Sequence, residues 1–184
     1  MGLRIHTLSA DEMLGLWKLA TMYEPARLDC IINRTDGIDL DRLLRHRIEG
    51  WYARQLLDLP IEELPLTEIA DRLTPARRPD GSAEVSLPEG TVRVAGVMME
   101  GWHRLATVTS DPTSALAQEQ RNPYSRGGVD EPVAVVYRDG RMSLHTPPPG
   151  EMRLTSVTAV VRPEDGSFPL TDAMLWRLND SIVI

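Results

Sequence analysis

Four histidines, one cysteine and a knot of aspartates are the side chains in this sequence that could do chemistry. His6, His46, His103 and His145 are spread over the whole chain, with no HxH, HxxxH or CxxC spacing. A zinc site needs three or four convergent ligands, and this spacing supplies no such set locally. His46 lies between Arg45 and Arg47, where neighbouring positive charge disfavours both protonation and cation binding. Structural or surface roles are the expectation for all four. Asp36, Asp39 and Asp41 crowd around Gly37. Paired carboxylates suit acid–base work or calcium, but the ligand order of a calcium loop is missing. Turn formation and helix capping explain them more simply. Cys30 is the single cysteine, so no intrachain disulfide and no thiolate cluster can form. The two isoleucines that follow it favour a buried, inert thiol. Arg126-Gly127-Gly128 resembles a fragment of a glycine-rich phosphate loop but lacks the Lys-Ser/Thr or third glycine that the complete patterns need. It precedes a strand rather than a helix and reads as a mobile loop. The expectation is therefore a protein without catalytic residues, cofactor or metal. An enzyme using Asp36, Asp39, Asp41 or His103 is the minor alternative.

Composition narrows the class further. The chain has 184 residues, 42% of them hydrophobic and 26% charged, as in a globular domain rather than a disordered segment. With only 5% aromatics, the core must be mostly aliphatic. The formal net charge of −7 is opposite to that of a free-standing nucleic-acid binder, which needs Lys and Arg for phosphates. Lys18 is the single lysine among 20 basic residues. Coding bias is the simplest reason, although guanidinium groups also suit interfaces. No secretory signal and no run of ~20 apolar residues is visible, so synthesis and use in the cytosol are expected.

The elements that must position these residues follow from periodicity. Ser9-Ala10-Asp11-Glu12 is a capping box, and Met13, Leu16, Trp17 and Ala20 recur at helical spacing up to about Tyr23, ahead of Pro25. Leu28, Ile31 and Ile32 could continue a short helix, and Asn33 to Gly37 reads as a turn. Asp39 caps the longest helix, with a stripe of Leu40, Leu43, Leu44, Ile48, Trp51, Tyr52, Leu56 and Leu59, ended by Pro60. Leu66 to Leu73 is predicted as another short helix. Thr74 to Ser82 is a loop. Strands are predicted over Ala83–Leu87, Thr91–Met99 with a bend at Ala95-Gly96, Gly101–Thr109, Pro132–Tyr137, Met142–Thr146 and Met152–Val161. Asp139-Gly140 marks a hairpin. Asp111 before Pro112 predicts one or two helical turns. Pro163 to Pro169 is a loop, and the segment from Leu170 carries a terminal helix to about Asn179. The reading is α+β: N-terminal amphipathic helices, a central mostly antiparallel sheet with long loops, and a C-terminal helix. Residues 1–75 form the helical region and 83–184 the β-rich region, expected as one compact unit.

Several short pieces resemble a known family. They are Trp51-Tyr52 followed by Leu64-Pro65; Leu87-Pro-Glu-Gly90 with Val92 and Val94; Gly101-Trp102; Asn122-Pro123-Tyr124 with Arg126-Gly127; Pro132 to Val135; and Arg162-Pro163 followed by Phe168-Pro169. In this order they resemble small structural proteins of tailed phages and prophages of gut Bacteroidales, including the crAss-like group. The resemblance covers most of residues 39–184. It implies a virion structural protein, a neck or head–tail connector subunit (ring or adaptor), made in the bacterial cytoplasm and carried in the virion. It implies partners that are copies of the chain and neighbouring virion proteins, with no sequence-specific nucleic acid, membrane or small-molecule substrate. Trp17, Trp102, Asn122, Pro123, Tyr124, Arg126 and Trp176 are the candidate interface residues, since aromatic and arginine side chains are enriched at interface cores. For the tryptophans, Tyr124 and Arg126, internal packing is the equal alternative. The competing class is a non-catalytic binding or accessory module of a bacterial mobile element.

Overall fold

The computed structural model describes residues 4–20 and 39–180. The expected helix end near Tyr23, the segment from Glu24 to Ile38, Cys30 and Asp36 lie outside the described residues. In chain order the strands and helices are β1 (Ile5–Leu8), α1 (Ala10–Ala20), α2 (Leu40–Asp58), β2 (Leu66–Glu68), β3 (Ala76–Arg77), β4 (Ala83–Ser86), β5 (Thr91–Met99), β6 (Thr107–Thr109), α3 (Ala115–Glu119), β7 (Val133–Val136), β8 (Arg141–Leu144), β9 (Leu154–Val161), β10 (Phe168–Thr171) and α4 (Asp172–Asp180). Short 3-10 turns occupy Ile61–Glu63 and Ala70–Arg72. This is an α+β chain with mostly antiparallel sheets.

Its contacts form two compact units. One joins the described residues up to Pro65 with those from Arg162 onward; the other is Leu66–Val161. The division differs from the boundary at residues 75–83 that composition suggested, because the C-terminal strand and helix belong with the N-terminal helices.

In the first unit, β1 pairs antiparallel with β10, Ile5 opposite Thr171. The capping box forms as predicted: Glu12 accepts from the Ser9 backbone N–H at 2.8 Å, and Ser9 Oγ accepts from the Glu12 N–H. Asp39 caps α2 by accepting from the Arg42 N–H. Leu44, Ile48, Tyr52 and Leu56 bury one face of α2, and Leu59 is buried just past its end, whereas Leu43 is exposed. Four-residue spacing keeps that face on the core, and each such side chain contributes about 1.5–3 kcal/mol. Tyr52 lies edge-on to Phe168, donates to the Pro169 carbonyl at 3.1 Å, and is pushed up to about 12 by burial. Thr171, fully buried, closes the unit. Its hydroxyl donates to the Glu63 carbonyl at 2.6 Å and accepts from the Met174 N–H, capping α4.

The second unit holds two sheets in the orders β2-β9-β5 and β3-β4-β8-β7-β6. Val97, Met99, Val157 and Ala159 from the first pack with Ala83, Val85, Ala134, Met142 and Leu144 from the second. The predicted helix at Leu66–Leu73 is not formed. Leu66 to Glu68 pairs with β9 instead, and the Glu68 carboxylate accepts from the N–H groups of Val157 and Ala70. A four-residue apolar spacing over one short segment did not outweigh a sheet edge ready to pair. Gly101–Thr109 is likewise strand only at its end; a turn occupies residues 100–104. The predicted bend in β5 is present as a register shift between Val94 and Gly96. The helix after Asp111 starts later, at Ala115, with Ser114 as its cap; Asp111 holds Thr113 in a turn.

β6 and β7 run parallel, Val108 opposite Ala134. Parallel neighbours require a crossover. Here α3 and the loop from Gln120 to Pro132 make it, and this loop carries most of the candidate residues.

Candidate functional site

Asn122-Pro123-Tyr124-Ser125-Arg126 forms the tip of the crossover. Asn122 Oδ1 accepts from the Tyr124 N–H at 3.0 Å, and the Ser125 N–H donates to the Asn122 carbonyl. Ser125 Oγ reaches back to the Glu119 carbonyl at 2.8 Å. The Arg126 guanidinium donates through Nε to the Gln120 carbonyl at 2.8 Å and through Nη1 to the Asp80 carbonyl. Gly127 and Gly128 then reverse the chain. A Cβ at Gly127 would lie 2.3 Å from the Glu131 carbonyl oxygen, so only glycine fits, and Gly128 has φ +68°. The Arg-Gly-Gly segment is thus a tight turn braced by its arginine. Tyr124 is carried at the tip and is 98% exposed.

Beneath the loop lies the outer face of the five-stranded sheet. Met142 and Leu144 point into the core between the sheets, so Ser143 and His145 take the opposite face, beside Val133 and Val135. α3 covers the two valines with Leu116 and Ala117. His145 is only 9% exposed and neither ring nitrogen has a protein hydrogen-bond partner. Burial above all, then Arg126, lowers its pKa below the ordinary imidazole value; Asp80 pulls the other way, and Arg121 adds a smaller push downward. Gln120, 2% exposed, leaves its Oε1 unpartnered, and so does Thr146 Oγ1. Asp80 itself is held below the usual carboxylate range, mainly by hydrogen bonds from the Ser82 hydroxyl and N–H and further by Arg126. Ser82, Asp80 and His145 do not make a hydrolase relay: Ser82 Oγ donates to Asp80 at 2.6 Å, whereas a relay places the imidazole between serine and carboxylate.

The other residues singled out in the sequence disperse. His6 pairs with Asp172 at 3.0 Å and His103 with Asp130, both at exposed positions, while His46 is exposed. Asp41 pairs with Lys18 at 2.8 Å. Among the described residues no three His, Cys, Asp or Glu side chains converge on a metal position, and no helix is long and apolar enough to cross a membrane. Of the interface candidates, Trp102 is corrected. It is 4% exposed, sits in the core of the sheet unit and donates from Nε1 to the Thr146 carbonyl at 2.7 Å. Trp17 is half-buried and packs edge-on against Trp51 at 5.8 Å. Asn122 and Pro123 are exposed and shape the loop; Arg126 is half-buried as its brace. Trp176 is 71% exposed on α4. Sequence reading missed Gln120, Asp80 and the buried state of His145. Alternation along the strand from Met142 is the signal that could have set His145 opposite Met142 and Leu144, but what covers that face is fixed by a crossover distant in sequence.

Compared with family models, curated proteins and solved structures, the chain has no significant match in any of the three.

Proposed function

We propose that this chain is a virion structural protein of a tailed phage, a neck or head–tail connector subunit that assembles with its own copies into a ring. The observation that carries this reading is Tyr124: a fully exposed aromatic on a loop braced by Arg126, Asn122, Ser125 and two glycines. Holding such a ring in water brings no internal packing. It does lower the ordering cost of binding a partner, which is how rigid aromatic anchors gain their weight at interfaces. Trp176 offers a second exposed aromatic in the other unit. Ring contacts are heterologous, so one subunit must present two different surfaces. The net charge of −7 suits a wall that DNA passes without sticking. The segment Asn122-Pro123-Tyr124 with Arg126-Gly127 is also where the family resemblance is strongest.

Light scattering coupled to size exclusion tests the reading. The chain should elute as a closed oligomer, and Tyr124→Ala should shift it toward monomer with an unchanged circular dichroism spectrum. A strict monomer that is absent from purified particles would overturn the proposal.

A further inference from the structure

A notch of about 150 Å3 opens on the first unit, between the middle of α2 and the start of β10. Ile48 and Phe168, both buried, form its floor, and Ala10, Arg45, Glu49 and Gly166 line its mouth. Three- and four-residue spacing puts residues 45, 48 and 49 on one side of α2. Tyr52, edge-on to Phe168, holds the ring of the floor from behind. A Cβ at Gly166 would meet nothing within 4 Å, so the mouth is open on that side. An apolar cavity of about 150 Å3 lined by Leu, Ile and Phe takes up one benzene. The notch is thus sized for one aromatic ring. Its rim is negative, because Arg45 is already paired with Asp11 at 2.7 Å while the Glu49 carboxylate is exposed.

We infer that this notch receives the Tyr124 ring of a second copy of the chain, with the phenol O–H donating to the Glu49 carboxylate and Arg121 facing the same rim. The inference rests on the ring reading and names its contact. Three features select this occupant. Tyr124 is 98% exposed on a braced loop, so seating it buries a large apolar face at little ordering cost. Its hydroxyl needs a polar partner at the mouth of an otherwise apolar hollow, and Glu49 stands there. The charges also match: from Gln120 to Gly128 the loop carries Arg121 and Arg126 and no acidic residue, opposite to the Glu49 rim. The roomier cleft of about 280 Å3 beside α3 fits a phenyl face less well, since Arg104, Glu119, Gln120 and Glu131 wall it. A loop of one copy in the α2 notch of the next joins two different surfaces, the heterologous contact a ring requires.

The test places p-azidophenylalanine, which keeps the aromatic ring, at position 124 of the full chain. Mixing with isotope-labelled native chain lets a light-induced crosslink between copies be read from its mass. Crosslinks should join the loop to labelled peptides that hold Ile48 and Glu49, or Gly166 and Phe168. Glu49→Arg and Arg121→Glu, both at exposed positions, should each raise the oligomer's dissociation constant about threefold or more with an unchanged circular dichroism spectrum. The double variant, which restores opposite charges, should recover most of that loss. Crosslinks to other segments, or a double variant no tighter than the weaker single one, overturn the inference; an oligomer that forms alongside those results leaves the ring standing. A native chain that elutes as a monomer and gives no crosslink between copies overturns both.

Discussion

A buried imidazole without a hydrogen-bond partner is tolerated only while it is neutral. His145 has its pKa lowered by burial, Arg126 and Arg121, so the folded state binds its proton less readily than the unfolded chain, where the ordinary value is 6.5. Its contribution is therefore complete above about pH 6.5 and is lost as pH falls through the lower folded value. Urea midpoints at about pH 7.5 and about pH 5 should drop further for the native chain than for His145→Asn, which cannot acquire that charge. Gly127 has a different constraint, since its missing Cβ makes room for the Glu131 carbonyl. Gly127→Ala should cost about 2 kcal/mol or more, read by thermal unfolding, and should displace Tyr124. Gly128→Asn, at φ +68° with open space around it, should cost far less, since Asn accepts the left-handed conformation. In the sequence these two glycines read as a mobile loop, the complete phosphate-loop patterns being unmet. Which glycine is steric and which is conformational depends on Glu131 folding back, and no spacing rule contains that.

At the scale of elements, legibility tracks how local the deciding interaction is. The capping box at Ser9, the Asp39 cap, the Asp139-Gly140 hairpin and the break in β5 at Gly96 each involve groups a few residues apart, and all were readable. β1 and β10 were not. Each is a four-residue strand whose pairing joins Ile5 to Thr171 across the length of the chain. The 66–73 segment failed for a related reason: its pattern fits a helix, and the β9 edge that recruits it is distant in sequence. Thr171 shows how a short element is secured, since one hydroxyl both caps α4 and holds the 3-10 turn at Glu63. Thr171→Val keeps the shape and removes both bonds. It should lower stability by about 1–3 kcal/mol in denaturant melts and speed amide exchange at the start of α4.

For the whole molecule, the notable fact is sequence order. Leu66–Val161 lies within the sequence of the other unit, yet its two ends are neighbours: Leu66 pairs with Val160. A fragment of residues 66–161 should therefore fold alone, with a cooperative melt and native-like amide protection in β8 and β9. A fragment of residues 1–65 should not, because Phe168, Leu170 and Met174, part of its core, would be missing. The pairing at that doorway also sets a timetable. On the ribosome the amino-terminal helices emerge first but must wait, their apolar faces uncovered, while nearly a hundred further residues are made. The inserted sheets can close in the meantime, so the part of the protein begun second is the part finished first, and the opening helices become the chaperones' concern during synthesis.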